Sequence, residues 1–177
     1  MTYPIKLNIG CADVGKDGYL NIDTRPTKVT HVVCDAWKIH MHFARSSVDE
    51  IYTRHMIEHL DPNDAREALE SWHQVLKPNG LLHIICPDLM FHCQQFMGTA
   101  TSTLPNQRAH AMAGFYGWRD ESRGGSREDA HRWGYTGESL HALLASHGFV
   151  EIHRHLDGPD SELWHLNISA RAQTGST

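Results

Sequence analysis

The 177-residue chain has a formal net charge of −5, and 40% of its residues are hydrophobic, which is an ordinary globular composition. This length suits one domain over residues 1–177. The acidic balance argues against a nucleic-acid partner, and no apolar run approaches the roughly 18–20 residues that span a bilayer. The first residues lack the charged and apolar regions of a signal peptide. We therefore expect a cytoplasmic protein without a membrane partner, whose four cysteines are reduced.

Apolar alternation and runs of apolar residues predict seven short strands, at residues 5–9, 19–22, 31–34, 48–53, 81–86, 149–155 and 163–170. Two helices are clear. One follows Asp61 and Pro62 and ends before Pro78, and the other follows Thr136 and ends at Gly148. Strands that alternate with helices indicate an α/β fold with a doubly wound, mostly parallel sheet. The two final strands follow each other closely, which predicts an antiparallel hairpin at the C-terminal edge.

Residues 98–134 show no firm periodicity apart from a short helix around residues 108–115. An irregular segment of this length is typically a lid or a functional insertion, so we expect it to cover the site or to bind an acceptor. Its aromatic residues Phe115, Tyr116 and Trp118 allow three interpretations. They close a lid, pack in the core or form the contact of a homodimer.

Polar residues follow the first three predicted strands. The first strand ends in Asn8-Ile9-Gly10-Cys11-Ala12, the second in Asp23 and the third in Asp35-Ala36-Trp37. Ligands of such sheets bind beyond the carboxyl ends of the strands. A glycine there admits close approach of a ligand, and carboxylates can accept hydrogen bonds from ribose hydroxyls and from an adenine amine. Either aspartate could instead cap a helix, but their shared register favours a nucleoside site.

The strings KLNIGCADVGKDGYLNID, VVCDAW, SVDEIYTRHMIEHL and VLKPNGLLHIICPD resemble the S-adenosylmethionine-dependent methyltransferases with a Rossmann-like fold. The resemblance covers about residues 5–90, and it is closest to a subgroup of short methyltransferases found among glycan-biosynthesis genes. It implies S-adenosylmethionine as the cofactor. It places the loop after the first strand beside the methionine part, Asp23 at the ribose, Asp35 and Trp37 at the adenine, and His55 and Met56 at the sulfonium. The full expected cofactor set is Asn8, Gly10, Cys11, Ala12, Asp23, Asp35, Ala36, Trp37, His55 and Met56.

Two departures from the family pattern concern the first loop. Alanine stands at position 12, where the family has the second glycine of G-x-G-x-G, and its β-carbon narrows the approach to the ligand. Only ten residues separate Gly10 from Asn21, whereas a full crossover takes a dozen or more. We therefore expect the first helix to be absent or a single turn, which leaves the cofactor site more open on that side.

A second motif overlaps the first. Residues 55–59 read His-Met-Ile-Glu-His, which fits the H-x-x-E-H pattern of zinc hydrolases. On a helix, His55 and His59 would share a face and bind zinc, with Glu58 as the base. The pattern also requires another carboxylate ligand, for which Glu67 and Glu70 are unsupported candidates. We expect no metal and keep zinc hydrolysis as an alternative.

The catalytic candidates are His59, His131 and Asp88. Histidine suits a general base because its pKa lies near neutrality, and Asp88 follows the fifth strand, where it could equally cap a helix. His131 opens the run His-Arg-Trp-Gly-Tyr, which suits a polar acceptor. We therefore predict methyl transfer to a small molecule such as a saccharide. A protein that binds the cofactor without turnover, and an enzyme that transfers another group of the cofactor, stay open.

Overall fold

The computed structural model describes residues 3–121 and 125–173. These residues form seven strands, which are β1 (Lys6–Ile9), β2 (Leu20–Asp23), β3 (Val32–Val33), β4 (Val48–Arg54), β5 (Leu76–Pro87), β6 (Phe149–Arg154) and β7 (His165–Ala172). They make one sheet in the order β3-β2-β1-β4-β5-β7-β6. The order reverses between β1 and β4, and this is the switch point where such sheets bind ligands.

Strand directions confirm the predicted α/β fold with a mostly parallel sheet. β1 pairs in parallel with β2 and β4, and β4 pairs in parallel with β5. β7 runs antiparallel to both β5 and β6, so β6 shares the direction of the parallel strands. The predicted C-terminal hairpin is therefore antiparallel, but β7 is inserted within the sheet and only β6 lies at the edge.

Four α-helices accompany the sheet, namely α1 (Pro62–Val75), α2 (Leu89–Phe96), α3 (Gln107–Tyr116) and α4 (Gly137–Ser146), together with 3-10 turns at Ala36–Met41 and Ile57–His59. The two helices predicted most clearly are confirmed. Asp61 precedes α1, and Thr136 caps α4 through reciprocal hydrogen bonds with Ser139. The helix predicted within residues 98–134 is confirmed as α3, whereas α2 was predicted only as the helix that Asp88 could cap. Residues 122–124 of that segment lie outside the described residues.

The link between β1 and β2 contains turns and no helix over residues 10–19, as its length predicts. The two strands are joined instead by the buried side chains of Asn8 and Asn21, whose amide and carbonyl groups are 2.9 Å apart. The short link leaves the carboxyl ends of both strands uncovered by a helix at this point.

Helix α1 holds the segment after β3 in place. Its apolar stripe is fully buried at Ala65, Leu69 and Trp72, as its helical spacing predicts. The indole nitrogen of Trp72 donates to the carbonyl of Ala36 over 2.9 Å. This buried bond fixes the start of the 3-10 turn that follows Asp35.

The end of α1 passes directly into β5. Leu76 pairs with Val48, and Leu81 pairs with Glu50, so residues 77–80 bulge out of the ladder. The sequence placed the strand start at residue 81, because Pro78 and Gly80 read as a turn. Among the described residues, the helices are too short or too polar to cross a membrane.

Candidate functional site

Segments after four parallel strands line one cavity of about 450 Å³. Its volume lies in the usual range for cofactor sites. The lining residues that the sequence predicted are Gly10, Ala12, Asp23, Asp35, Ala36, Trp37, His55, Met56 and His59. The predicted convergence at the carboxyl edge of the sheet therefore exists, and it joins loops that are up to 45 residues apart in the chain.

The first loop is packed closely against the segment after β4. Gly10 has a φ of 76°, and a β-carbon on it would overlap the side chain of Met56, lying 2.7 Å from its Cβ. Ala12 also takes a left-handed conformation, with a φ of 45°. This conformation explains why related loops favour glycine at this position, since a β-carbon is strained there.

Asp23 is the acid of the cavity that is buried and held by two backbone hydrogen bonds. Its side chain is buried, Oδ2 accepts from the backbone N–H of Ala12 at 2.8 Å, and Oδ1 accepts from the N–H of Arg25 at 3.0 Å. A carboxylate offers about four acceptor positions. Nε of Arg25 also lies 3.6 Å from Oδ1, and the acceptor capacity that is left beside the cavity fits a ribose hydroxyl.

The segment after β3 presents an acid and an aromatic ring together. Asp35 precedes the 3-10 turn, and its side chain pairs with the ammonium of Lys38 at 2.8 Å. Trp37 is half-buried against the core and lines the cavity. An indole face and a neighbouring carboxylate fit an adenine ring and its exocyclic amine.

The residue after β4 is strained. His55 has a φ of 49°, which is uncommon for a residue with a β-carbon. Its N–H donates to the carbonyl of Ile85 over 2.8 Å, and its Nδ1 lies 3.2 Å from Oε1 of Glu58. Strain of this kind is often retained at functional sites. Here the first bond holds the backbone of His55, and the second holds its imidazole at the cavity wall.

Glu58 is a buried carboxylate among histidines. It is 1% exposed. Burial alone would raise the pKa of its carboxyl, but the hydrogen bond with His55 and the fields of His55, His59 and His131 lower that pKa below its usual value. The carboxylate is thus kept charged by imidazoles, and the sequence had assigned it a role only within the zinc-hydrolase alternative.

His59 and His131 meet although they are far apart in sequence. Their ring centroids are 5.1 Å apart with an interplanar angle of 77°. His59 lines the cofactor cavity. His131 lines a second cavity of about 170 Å³, and His55 borders both cavities. The walls of the second cavity are largely imidazole and indole, from His55, His92, His110, His131, His165, Trp118 and Trp164.

Three predicted site residues line neither cavity. Asn8 is occupied in bridging β1 to β2, and Cys11 is buried, with its sulfur near Thr30. Asp88 caps α2 by accepting from the N–H of Met90 at 3.0 Å, and its other oxygen pairs with Arg154 at 2.8 Å. The helix-cap interpretation of Asp88 is therefore correct, and its carboxylate lines neither cavity.

The H-x-x-E-H alternative depends on an α-helix that does not form. Residues 57–59 make one 3-10 turn, and His55 lies before it in a left-handed conformation. His55 and His59 therefore do not share a helical face. Glu67 and Glu70 are exposed on α1, so neither completes a ligand set with them.

The sequence missed several charged residues that line the cofactor cavity. These are Arg25, Asp64, Glu128, Asp129 and Arg132. Arg132 and Trp133 donate their N–H groups to the carbonyl of Glu58 at 2.9 and 3.1 Å. That pairing draws the end of the irregular segment over the cavity. The cluster His-Arg-Trp at 131–133 was the only sequence signal for it.

The family model for a methyltransferase domain matches residues 15–84, and no curated protein matches the chain. Among solved structures, a methyltransferase of Methanosarcina mazei described as S-adenosylmethionine-dependent has a TM-score of 0.63 and 16% identity, over 99% of this chain and 95% of that one. The 1,6-didemethyltoxoflavin-N1-methyltransferase of Burkholderia thailandensis, solved with S-adenosylhomocysteine, has a TM-score of 0.60 and 14% identity. The match covers 97% of this chain and 72% of that chain.

A third similar structure is described as a possible exported protein of Bordetella parapertussis. It has a TM-score of 0.61 and 17% identity, and the match covers 97% of this chain and 63% of that chain. At these identities the likeness concerns the fold. The matched family model and this fold together support an enzyme of the S-adenosylmethionine-dependent methyltransferase type, with S-adenosylmethionine as its cofactor.

Proposed function

We propose that the protein transfers a methyl group from S-adenosylmethionine to a small polar acceptor. The observation that carries this proposal is the convergence of Gly10, Asp23 and Trp37 on one cavity at the switch point of the sheet. Each of these residues matches a different part of a nucleoside. A general polar cleft would not require a glycine, a buried acid and an indole at three successive strand ends.

We assign the cofactor contacts by position. Asp23 would accept hydrogen bonds from the ribose, Asp35 would accept from the adenine amine, and Trp37 would stack on the ring. Gly10 and Ala12 would lie along the methionine part, and His55 and Met56 would border the reacting centre. When bound, the cofactor supplies an electrophilic methyl group. The chain's contribution is to align that group with an acceptor and to exclude water.

The second cavity is the proposed acceptor site. It adjoins the cofactor cavity at His55, and its volume of about 170 Å³ admits only a small group. His131 lines this cavity, and the ring of His59 contacts the ring of His131 from the cofactor cavity. We propose that both residues contact the acceptor where the two cavities meet, because Nε2 of each ring can accept its proton. Asp88 is proposed as a positioning residue that holds the start of α2 through its cap and its ion pair with Arg154.

The proposal extends to the acceptor class, the location and the oligomeric state. A saccharide acceptor follows from the resemblance to the subgroup found among glycan-biosynthesis genes. A cytoplasmic location is favoured by four unpaired cysteines, of which three are buried. The net charge of −5 disfavours nucleic acid as a partner. A homodimer through the exposed Tyr116 on α3 is the simplest oligomer.

The test is transfer of an isotopically labelled methyl group from S-adenosylmethionine to a panel of monosaccharides, nucleotide sugars and small acids, read by mass spectrometry. We expect one acceptor class to gain the label. His131→Ala should reduce the rate at least tenfold, while His141→Ala, on the exposed face of α4, should not. Binding of S-adenosylhomocysteine without transfer to any acceptor would favour a cofactor-binding protein, and absence of binding would refute the proposal.

A further inference from the structure

We propose that Glu58, His59 and His131 form a binding site for a divalent transition-metal ion, with Zn²⁺ as the reference ion. One carboxylate oxygen of Glu58 and one ring nitrogen of each histidine lie within 4.8 Å of one another. Ligands about 2.1 Å from a tetrahedral ion lie about 3.4 Å apart. The ligand atoms would therefore approach one another by up to about 1.4 Å on binding an ion.

The hydrogen bonds of the two histidines prepare them as ligands. Nδ1 of His59 lies 3.0 Å from the carbonyl of Ala130, and Nδ1 of His131 lies 3.0 Å from the carbonyl of Gly114. A carbonyl only accepts, so both Nδ1 atoms carry the hydrogen. The lone pair of each neutral ring is then on Nε2. Metal-binding histidines are usually oriented in this way, by a carbonyl or carboxylate behind the ring.

An unsatisfied oxygen supplies an independent reason for a ligand. Oε2 of Glu58 is buried and has no hydrogen-bond partner among the described residues, while Oε1 faces His55. A charged oxygen left unpaired in the interior is costly. A cation between Glu58, His59 and His131 would satisfy it.

The ligand types select the ion. Two imidazoles and one carboxylate with an open position bind Zn²⁺ in hydrolases and Fe²⁺ in oxygenases. They are poor ligands for Ca²⁺ and Mg²⁺, which prefer oxygen. The site also differs from the H-x-x-E-H alternative. Glu58 is a ligand and not the base, and His131 takes the place of His55 as a ligand. His55 instead positions the carboxylate of Glu58 through Oε1.

A second cluster gives a useful contrast. Asp160, Glu162 and His165 also bring ligand atoms within 4.8 Å. Asp160 is already paired with Arg54 at 2.8 Å, and Glu162 is exposed. Because no buried atom there lacks a partner, we do not assign an ion to that cluster, and it serves as a control.

The position of the site suggests what the ion does. His59 lines the cofactor cavity and His131 lines the smaller cavity, so the ion would lie where the two meet. There it would bind an acceptor oxygen as a Lewis acid, and the two histidines would act as ligands instead of free bases. This role rests on the proposed function, whereas metal binding itself does not.

The experiment is titration of the full chain, freed of metal by a chelator, with Zn²⁺ by calorimetry and with Co²⁺ by visible absorption. We expect one ion per chain and the absorption of Co²⁺ in a four- or five-coordinate site. His131→Ala and Glu58→Gln should weaken Zn²⁺ binding at least 30-fold, and Asp160→Asn and His141→Ala should leave it unchanged. Circular dichroism of each variant checks its fold, and His59→Ala replaces Glu58→Gln if that variant is unfolded.

Absence of one-to-one binding, or undiminished binding by folded His131→Ala and His59→Ala, would overturn the site. Affinity for S-adenosylhomocysteine, measured on the metal-free chain, separates this inference from the proposed function. Tight nucleoside binding with no metal binding would overturn only the metal site. Metal binding without nucleoside binding would uphold the site and refute the proposed function.

Discussion

The nucleoside side of the site, formed by residues 9–12, 23–25 and 34–37, is held by the backbone of loops that follow adjacent strands. The histidine side, formed by His55, His59, His92, His110, His131 and His165, is held by side chains from segments up to 110 residues apart in the chain. On the nucleoside side, Asp23 accepts backbone N–H groups. On the histidine side, imidazoles contact one another and a buried carboxylate. The first side therefore depends on local conformation, and the second depends on protonation and tertiary packing.

The largest effect should come from Gly10→Ala on the nucleoside side. The new β-carbon would overlap Met56 in a left-handed backbone conformation, which combines a conformational cost with overpacking and should destabilise the fold by about 2–5 kcal/mol. Denaturant unfolding measures it. Gly18→Ala is the matched control, since Gly18 has a φ of 79° and no neighbour within 4 Å. Equal losses for both variants would show that the packing against Met56 is unimportant.

The next effect concerns acid sensitivity on the histidine side. Burial, reinforced by the field of His110, lowers the pKa of His92 from 6.5 to about 4. Below pH 6.5 His92 is protonated in the unfolded chain, whereas in the folded chain it stays neutral until the pH approaches 4. The free energy of unfolding therefore falls by about 3 kcal/mol for this residue as the pH drops from 6.5 to 4. It levels off below pH 4.

His92→Gln should flatten this dependence, because glutamine has no titrating group. Urea unfolding at a series of pH values between 4 and 7 measures the difference from the unmodified chain. His141→Ala is the control and should keep the acid sensitivity. An unchanged pH dependence in His92→Gln would mean that His92 does not contribute to the acid sensitivity of the fold.

A smaller effect is expected for Asp23→Asn. It keeps the size of the side chain and one acceptor oxygen but removes the charge that would hold the ribose. Affinity for S-adenosylhomocysteine should fall at least tenfold, which is about 1.4 kcal/mol, and calorimetry measures it. Asp13→Asn, at an exposed position of the link between β1 and β2, should bind normally. Equal affinities for the two variants would show that Asp23 does not bind the nucleoside.

The smallest effect should follow Ala12→Gly. Glycine relieves the left-handed strain at a φ of 45° but gains entropy in the unfolded chain, so stability should change by less than about 1 kcal/mol. Affinity for S-adenosylhomocysteine should stay equal or rise, because the loop opens. A clear loss of affinity would show that the alanine methyl group contacts the ligand.

The same contrast explains what the sequence predicts. Strand ends on the nucleoside side are local patterns, so Asp23 and Asp35 could be assigned from alternation and spacing. The meeting of His59 with His131 depends on packing across 72 residues, which no local pattern encodes. Only the possible cap at Asp88 indicated helix α2, because its eight residues are too few for a clear period. The placement of β7 between β5 and β6 is equally invisible, since chain order does not determine strand order.

The H-x-x-E-H pattern shows how a sequence motif can direct attention to a residue cluster through a wrong structural assumption. It drew attention to Glu58 and His59, yet it assumed a helix where the chain makes one 3-10 turn after a strained His55. Asp88 illustrates the reverse. Its place after β5 matched a catalytic position. Its two carboxylate oxygens are occupied instead, one by an N–H at the start of α2 and the other by the guanidinium of Arg154.

Thermal unfolding with S-adenosylhomocysteine tests the central claim most directly, which is that the 450 Å³ cavity binds the nucleoside of the cofactor. At about 100 times its dissociation constant, a ligand adds roughly 2.7 kcal/mol of stability. For a domain of this size the midpoint should rise by about 5–10 °C, and Asp23→Asn should show a smaller rise at the same ligand concentration. No shift of the unmodified chain at millimolar ligand would contradict the account.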